Sequence, residues 1–319
     1  MKYICNKLIF IENNIEILTE KIIKFSLDLG FLACGISECK ELTNEKEGLL
    51  HFLNHQFHGK MKYLENHFEM RLDPRLLVDG SKSVISLLYN YYTPQKQNDT
   101  EAPVVSIYAY GKDYHEVIRE KLIRILEFIK LSDSTTEGRV FVDSAPILER
   151  AWAKNAGLGW IGKNGLLLNR NFGSFFFLAE IIINKQLAYN KTLAQNHCGK
   201  CTRCIDACPT KAIVEPGQVD ARKCISYLTI ELKDEIPEEF RGKMKNRVFG
   251  CDICQDVCPF NKKAKAHNEP AFLPDNEWFG MSKKDWFEME EEKFERIFKK
   301  SALQRAKYRG LKRNLDFLK

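Results

Sequence analysis

Apolar residues recur every three or four positions along two segments of the chain, which is the spacing of one face of an α-helix. This pattern predicts helices over residues 13–29 and His115–Lys130, with Gly30 placed to end the first of them. Short apolar runs rich in β-branched and aromatic residues predict strands instead. We expect strands at residues 31–36, Ser83–Tyr92, Val104–Tyr110, Arg139–Asp143, Leu166–Leu168 and Phe175–Ile183.

Strands that alternate irregularly with helices are typical of a layered α/β or α+β domain. The pattern therefore predicts an α+β protein whose first, layered domain covers residues 1–190. A cysteine-rich module is expected over residues 191–265, and a short helical basic tail over residues 266–319.

A further helix is expected over His51–His67, a segment unusually rich in histidine. No cysteine or carboxylate is spaced beside these histidines as a metal ligand, so solvated or capping roles are preferred to metal binding. The four residues are His51, His55, His58 and His67.

The composition bounds the partners and the compartment. The chain has 319 residues, which suits two or three domains, and its net charge of +6 permits an anionic partner without requiring one. The apolar run at the N-terminus is too short for a signal peptide, and no run approaches the roughly 18 apolar residues of a membrane span. We therefore expect a cytoplasmic, soluble protein with no membrane partner.

The most informative chemistry lies in the cysteines, eight of which fall between residues 198 and 258 out of eleven in the chain. Residues 198–209 read C-x2-C-x2-C-x3-C-P, the bacterial ferredoxin spacing in which the fourth cysteine serves the other cluster. Residues 251–259 lack one cysteine of that pattern, which Cys224 can supply. The expected ligand sets are Cys198, Cys201, Cys204 and Cys258 for one iron–sulfur cluster, and Cys208, Cys224, Cys251 and Cys254 for the other.

Two other uses of these cysteines fit less well. Structural zinc prefers four ligands in separated pairs, whereas this chain has three equally spaced cysteines before a Cys-Pro step. Disulfides belong to oxidising compartments, and the chain has no secretory signal. Cys5, Cys34 and Cys39 are expected to carry no chemistry.

A glycine-rich segment over residues 156–165 surrounds Trp160, Lys163 and Asn164. Its spacing matches neither the P-loop nor the dinucleotide-binding fingerprint. Glycine permits close approach of the backbone to a bulky ligand, and Phe172–Glu180 supplies an apolar wall beside it. A large planar cofactor facing the clusters suits this segment, and a tightly packed turn suits it equally well.

Asp143 is the carboxylate most suited to catalysis, because it ends a predicted strand and opens a predicted helix with Pro146 in its first turn. Capping that helix is the alternative role. To donate a proton at neutral pH, Asp143 needs a pKa well above the ordinary value of about 3.9. Burial beside an apolar cofactor can raise it.

Several motifs outside the cysteine runs complete the picture: RLDPRLL at 71–77, YGKDYH at 110–115, VDSAPILER at 142–150, GLGWIGKN at 157–164, FGS at 172–174, LAE at 178–180, CISYLTIE at 224–231, NRVFGC at 246–251 and SALQRAKYRG at 301–310. With the cysteine runs, they cover nearly the whole chain. The sequence resembles the epoxyqueuosine reductases, the oxidoreductases that perform the last step of queuosine biosynthesis in tRNA.

The resemblance implies a cobalamin between the catalytic domain at residues 1–190 and a ferredoxin-like module with two [4Fe–4S] clusters. The clusters deliver electrons to cobalt, and cob(I)alamin reduces the epoxide of epoxyqueuosine at the wobble position to an alkene. Ile118 stands where the histidine-on motif D-x-H-x-x-G needs glycine, so the cobalt is expected to lack a histidine ligand. The implied proton donor is Asp143, and the implied cobalamin-site residues are Arg71, Asp143, Asn164, Ser226 and Asp252.

The same resemblance implies a tRNA partner held at its anticodon loop. The tail from Ser301 to Lys319 has a net charge of +5 and is either a clamp for phosphates or an ordinary solvated helix face. We expect a monomer that receives electrons from a donor such as flavodoxin or ferredoxin. Alternative functions are a corrinoid reductive dehalogenase-like enzyme, although no twin-arginine signal is present, and a non-enzymatic ferredoxin-type carrier.

Overall fold

The computed structural model describes residues 2–191 and 194–319, with side chains described from residue 14 onward. The strands are β1 Ala33–Glu38, β2 Ser83–Asn90, β3 Val104–Val105, β4 Gly138–Phe141, β5 Trp160–Ile161, β6 Leu167–Leu168, β7 Phe176–Ile183, β8 Ile213–Glu215, β9 Gln218–Val219 and β10 Arg247–Phe249. The helices are α1 Lys2–Asp28, α2 Thr43–Asn54, α3 Phe68–Leu72, α4 Tyr114–Ser132, α5 Glu149–Asn155, α6 Arg203–Ala207, α7 Ile225–Ile230, α8 Ile253–Asp256, α9 Asn276–Phe279, α10 Lys283–Phe287, α11 Glu291–Phe298 and α12 Lys307–Leu318.

A four-stranded antiparallel sheet in the order β1-β2-β7-β4 forms the central layer of the first half. Successive side chains of β7 point to opposite faces of the sheet. Ile181 and Ile183 pack in the same core as Ile118 and Ile125 of α4, whereas Ile182 packs in a second core with Trp152 of α5. Helices thus pack on both faces of this antiparallel sheet. This arrangement confirms the predicted α+β class.

The long periodic elements were predicted well. Helix α4 extends one residue before and two beyond the predicted His115–Lys130, and β2 and β7 lie within the predicted strands. The first strand is displaced slightly, to Ala33–Glu38. Helix α1 already begins at Lys2, well before residue 13.

Three predicted elements were wrong for local reasons. The helix over His51–His67 stops at Asn54, because Gln56 and Gly59 adopt positive φ angles of 55° and 60°. The strand over Val104–Tyr110 ends at Val105, since the backbone N–H of Ile107 is taken by the Asp252 carboxylate and cannot join a ladder. Neither Asp143 nor Pro146 belongs to a helix start: α5 begins only at Glu149, and its first turn receives no side-chain cap.

The C-terminal helices form a packed layer. Trp278, Trp286, Phe294 and Phe298 share a core that also contains Val105, Tyr110 and Phe249 of the preceding segments. On α12, the buried amide of Asn314 donates to the carbonyl oxygens of Thr229 and Val248. The basic tail is therefore anchored to the cysteine-rich region, while the domain boundaries themselves stay predictions. Among the described helices, none is both long and apolar enough to cross a membrane.

Candidate redox and proton-transfer site

The cysteines predicted for the first cluster surround one cavity. Its volume is about 220 Å³, and its lining includes Cys198, Cys201, Cys204 and Cys258 together with Asn164 and Phe260. Burial raises the pKa of the Cys258 thiol, and the neighbouring Cys198 and Cys201 raise it further. Burial also raises the pKa of Cys204. Crowded sulfurs of this kind are well suited to an iron–sulfur cube, because its positive irons stabilise the thiolates.

The cysteines predicted for the second cluster also lie together. Burial raises the pKa of Cys251 to about 12, and Cys224 contributes to the increase. Burial also raises the pKa of Cys254, and Cys224 and Cys251 raise it further. The pKa of Cys224 is raised by burial and by Cys208. Cys254 thus lies near Cys224 and Cys251, and Cys224 lies near Cys208. Their roles as ligands stay a prediction.

The glycine-rich segment packs directly on the first cysteine set. It forms the β5–β6 hairpin, and the indole N–H of Trp160 donates to the Sγ of Cys198 at 3.5 Å. A side chain at Gly159 or Gly162 would collide with Leu168 of β6. A tightly packed turn, the alternative to a cofactor site, therefore accounts for Gly159 and Gly162. Asn164 is buried in the cavity lining and its Nδ2 has no hydrogen-bond partner among the described residues, which leaves a donor available to a bound group.

Asp143 lies just beyond β4 in the left-handed region, with a φ of 55°. Its carboxylate is 61% exposed and accepts a hydrogen bond from the hydroxyl of Tyr114 at 2.7 Å. Nε2 of His115 is 3.4 Å from the same carboxylate oxygen. The backbone N–H of Asp143 donates to Oε1 of Glu149 at 2.7 Å, which fixes the unusual conformation.

The proton in this site is held by the imidazole. The hydrogen bond from His115 lowers the pKa of Asp143, burial opposes this effect, and Tyr114 reinforces it. Burial alone would lower the pKa of His115, but its hydrogen bonds to Asp113 and Asp143 outweigh that effect and raise the pKa to about 9. Asp143 therefore does not have the raised pKa that it would need to donate a proton on its own at neutral pH, because the aspartate is paired with an imidazolium.

A second acidic pair lies behind Asp143. Glu180 is fully buried in β7, opposite Phe141 of β4, and burial followed by the charge of Glu149 raises its pKa well above the ordinary range. Burial and the charge of Asp143 raise the pKa of Glu149 to about 8. Three carboxyl groups this close disfavour simultaneous ionisation, so the inner two are held protonated.

Two of the predicted cobalamin contacts already bind protein groups. The Arg71 guanidinium donates to the carbonyl oxygens of Tyr63 and Asn66. Asp252 accepts from the hydroxyl of Ser106 at 2.5 Å and from the backbone of Ile107 at 2.9 Å. Both side chains thus fasten the walls of the site rather than point freely into it.

Ser226 and the tail complete the predicted set. Ser226 is half-buried on α7, two residues after Cys224. In the tail, Arg305 pairs with Glu231 and its charge contributes to lowering the pKa of Asp143, which places it near the aspartate. Arg313 donates to three backbone carbonyls, so it serves packing.

The sequence did not identify Tyr114 and His115 as partners of Asp143, nor Glu149 and Glu180 as its acidic neighbours. All four stand in motifs that were recognised. Their association depends on strand register and on the packing of α4 and α5, neither of which residue spacing reveals.

A model of a 4Fe-4S double cluster binding domain matches residues 197–261, and it defines this chain as a protein that binds two iron–sulfur clusters. A second model, described as Epoxyqueuosine reductase QueG, DUF1730, matches residues 71–144. The epoxyqueuosine reductase of Cyclobacterium marinum is 53% identical over 96% of this chain and 98% of its own length. The chain belongs to the epoxyqueuosine reductase family and is an oxidoreductase.

Solved structures agree with this assignment. An epoxyqueuosine reductase crystallised with an epoxyqueuosine-modified tRNA-Tyr stem loop is 31% identical, with a TM-score of 0.87 over 94% of this chain and 80% of that one. The Bacillus subtilis enzyme, in a structure with its catalytic aspartate loop swung out of the active site, is 30% identical, with a TM-score of 0.87 and the same coverage. The fold is that of the family.

Proposed function

We propose that this protein reduces epoxyqueuosine to queuosine at the wobble position of tRNA, with electrons that pass through two [4Fe–4S] clusters to a cobalamin. One observation carries the proposal: the proton-holding site and the cysteine module face the same residue. After burial, the charges of Asp143 and Asp252 both raise the pKa of Tyr108, and Asp252 follows Cys251 directly. Electrons and protons can therefore meet in this region.

The proposed reaction requires both electrons and protons. Removal of an epoxide oxygen as water, with an alkene left behind, consumes two electrons and two protons. A bound cobalamin, once reduced, supplies a strongly nucleophilic two-electron reductant. Asn164, with its unpartnered amide, and Ser226 are the residues proposed to hold it, supported from behind by Arg71 and Asp252.

Asp143 is proposed to deliver the proton that lets the epoxide oxygen leave. Because its own pKa is lowered, it must receive that proton from His115, which is protonated at neutral pH. The carboxylate is exposed enough to approach a substrate, whereas the imidazole is held in place by Asp113 at 2.7 Å. Proton delivery by a positioned group of this kind contributes about 10²–10⁴-fold to a rate.

The proposed substrate is a tRNA anticodon loop. The relative crystallised with a modified stem loop supports this partner. On this chain, Arg305 lies near Asp143, and Lys307 and Arg309 are exposed beside it. Such cations are suited to phosphate contacts, which fix an RNA without reading its sequence.

The decisive test is anaerobic incubation of cluster-loaded protein with cobalamin, a strong reductant and tRNA that carries epoxyqueuosine. Nucleoside mass spectrometry should show loss of one oxygen, and the same mixture without cobalamin should show none. Unchanged epoxyqueuosine in the presence of loaded clusters and corrinoid would contradict the proposal.

The ligand sets are tested separately. Cys204→Ala removes a predicted ligand. It should reduce bound iron by up to about half, because one of the two clusters loses one of its four cysteine ligands. Cys34→Ala is the matched control, since Cys34 belongs to neither set, and it should retain the iron content of the wild type. Equal iron in both variants would remove Cys204 from the first set.

A further inference from the structure

Three separate segments, residues 163–170, 197–204 and 258–265, contribute residues to the lining of the cavity of the first cysteine set; the lining residues fall at 163–168, 197–204 and 258–260. Together they contain seven basic residues and no acidic residue, although the whole chain has nearly balanced charges of 49 and 43. We call these seven the cationic rim: Lys163, Arg170, Lys200, Arg203, Lys262, Lys263 and Lys265.

The charge of the cationic rim is not neutralised locally. Six of its members are exposed and Lys163 is half-buried. Within residues 14–191 and 194–319, no carboxylate forms an ion pair with any of the seven. Lys263 donates to the backbone oxygen of Arg170 at 3.5 Å, which joins two of the segments into one surface. A concentrated field of one sign attracts a partner of the opposite sign.

The position of the rim identifies the kind of partner. Helix α6, which carries Cys204 of the first set, packs against α8, which carries Cys254 of the second set and begins directly after Asp252. Asp252 accepts from the backbone of Ile107, and the ring of the next residue, Tyr108, lies 6.2 Å from the ring of Tyr114, which donates to Asp143. The order is therefore cationic rim, first set, second set and Asp143. A substrate base must reach Asp143, whereas electrons must enter at the opposite end of this series.

We infer that the cationic rim is the docking surface for a small electron-carrier protein whose redox group is surrounded by acidic residues, an inference that rests on the proposed function. Charge complementarity accelerates encounter and orients the partner without requiring a large interface. His197 and Phe260, which line the cavity and contact Trp160, belong to the same segments as the cationic rim and provide aromatic surface beside it. This geometry brings the partner's redox group against the first cluster.

The test uses cluster-loaded protein and a reduced flavodoxin with an acidic surface as the probe. Stopped-flow absorbance follows cluster reduction in the wild type and in Lys262→Glu/Lys263→Glu. The second-order rate constant should fall by about tenfold or more, and its dependence on salt should weaken. Reduction by methyl viologen radical, a small cation, should not slow. Lys283→Glu/Lys284→Glu changes the net charge equally at two exposed positions of α10 and should behave as the wild type.

A wild-type flavodoxin rate in the Lys262/Lys263 variant would overturn the inference. So would an unchanged flavodoxin rate together with weakened binding of an epoxyqueuosine-modified stem loop, because the rim would then be an RNA surface. Cluster reduction is measured without any tRNA. A failure of the wild type to deoxygenate tRNA with methyl viologen would therefore refute the proposed function while the docking result stands.

Discussion

Asp143 and Asp252 are the same residue type and were both predicted as site residues, yet the structure places them in opposite surroundings. Asp252 is 4% exposed, and burial raises its pKa despite donors from Ser106 and Ile107. Asp143 is 61% exposed and its pKa is lowered, first of all by His115. The Asp252 carboxylate joins two segments of the protein through its hydrogen bonds, whereas the Asp143 carboxylate stays accessible.

The two aspartates also differ in backbone conformation. Asp252 has an ordinary φ of −102°, whereas Asp143 is held at 55°. A left-handed residue other than glycine costs about 1–2 kcal/mol, and such strain persists where the surroundings enforce it. Here Glu149 enforces it through the Asp143 backbone N–H. A strained, accessible carboxylate beside an imidazolium is the arrangement expected of a group that transfers protons.

The largest effect should follow from Asp143→Asn. Turnover is expected to fall by about 10²–10⁴-fold, since the amide cannot relay a proton from His115, while iron and corrinoid content stay at wild-type levels. The rate of queuosine formation, measured by nucleoside mass spectrometry, tests this. Glu116→Gln removes an exposed carboxylate from the same helix as His115 and should leave turnover unchanged. Wild-type turnover in Asp143→Asn would exclude Asp143 from proton transfer.

For Asp252 the expected effect is on stability. Asp252→Ala removes a buried acceptor from Ser106 and Ile107 and a charge 3.7 Å from Arg247, which should cost about 3–5 kcal/mol in the free energy of unfolding. Anaerobic denaturant unfolding of the cluster-loaded protein measures it. The control is Asp256→Ala, because Asp256 pairs with the same Arg247 at 3.3 Å but is 48% exposed, and about 0–1 kcal/mol is expected there. Equal losses in the two variants would mean that burial does not distinguish them.

The two aspartates also show how far sequence reasoning reaches. The double-cluster domain was predictable because the spacing of cysteines in short loops is a local property, and α4 was predictable from its periodicity. Asp143 could be singled out as the residue at a strand end. The fastening role of Asp252 could not, since Ser106 lies 146 positions away in the sequence. The same applies to Glu180 of β7, which lies near Glu149 because α5 packs against β7.

The pH dependence of turnover should sharpen the contrast, because the accessible carboxylate of Asp143 is paired with an imidazole whose pKa is raised to about 9. With a His115 pKa of about 9, the stored proton is present at pH 7 and is lost as the pH rises. We expect turnover under saturating reductant to fall by about tenfold between pH 8 and pH 10 in the wild type. In His115→Gln, turnover should be low throughout and this alkaline decline should be absent.

The sign of the linked effect on stability is fixed by the same shift. The folded-state pKa of His115 lies above its ordinary value of 6.5, so the stability that the imidazolium contributes is complete below pH 6.5 and is lost as the pH rises through about 9. Asp143 acts in the opposite range, because its lowered pKa means that its contribution is lost only in acid. Denaturant midpoints recorded from pH 6 to pH 10 should therefore decline more steeply in the wild type than in His115→Gln. Parallel curves would show that the imidazole holds no extra proton in the folded protein, and the proposed relay from His115 to Asp143 would lose its source.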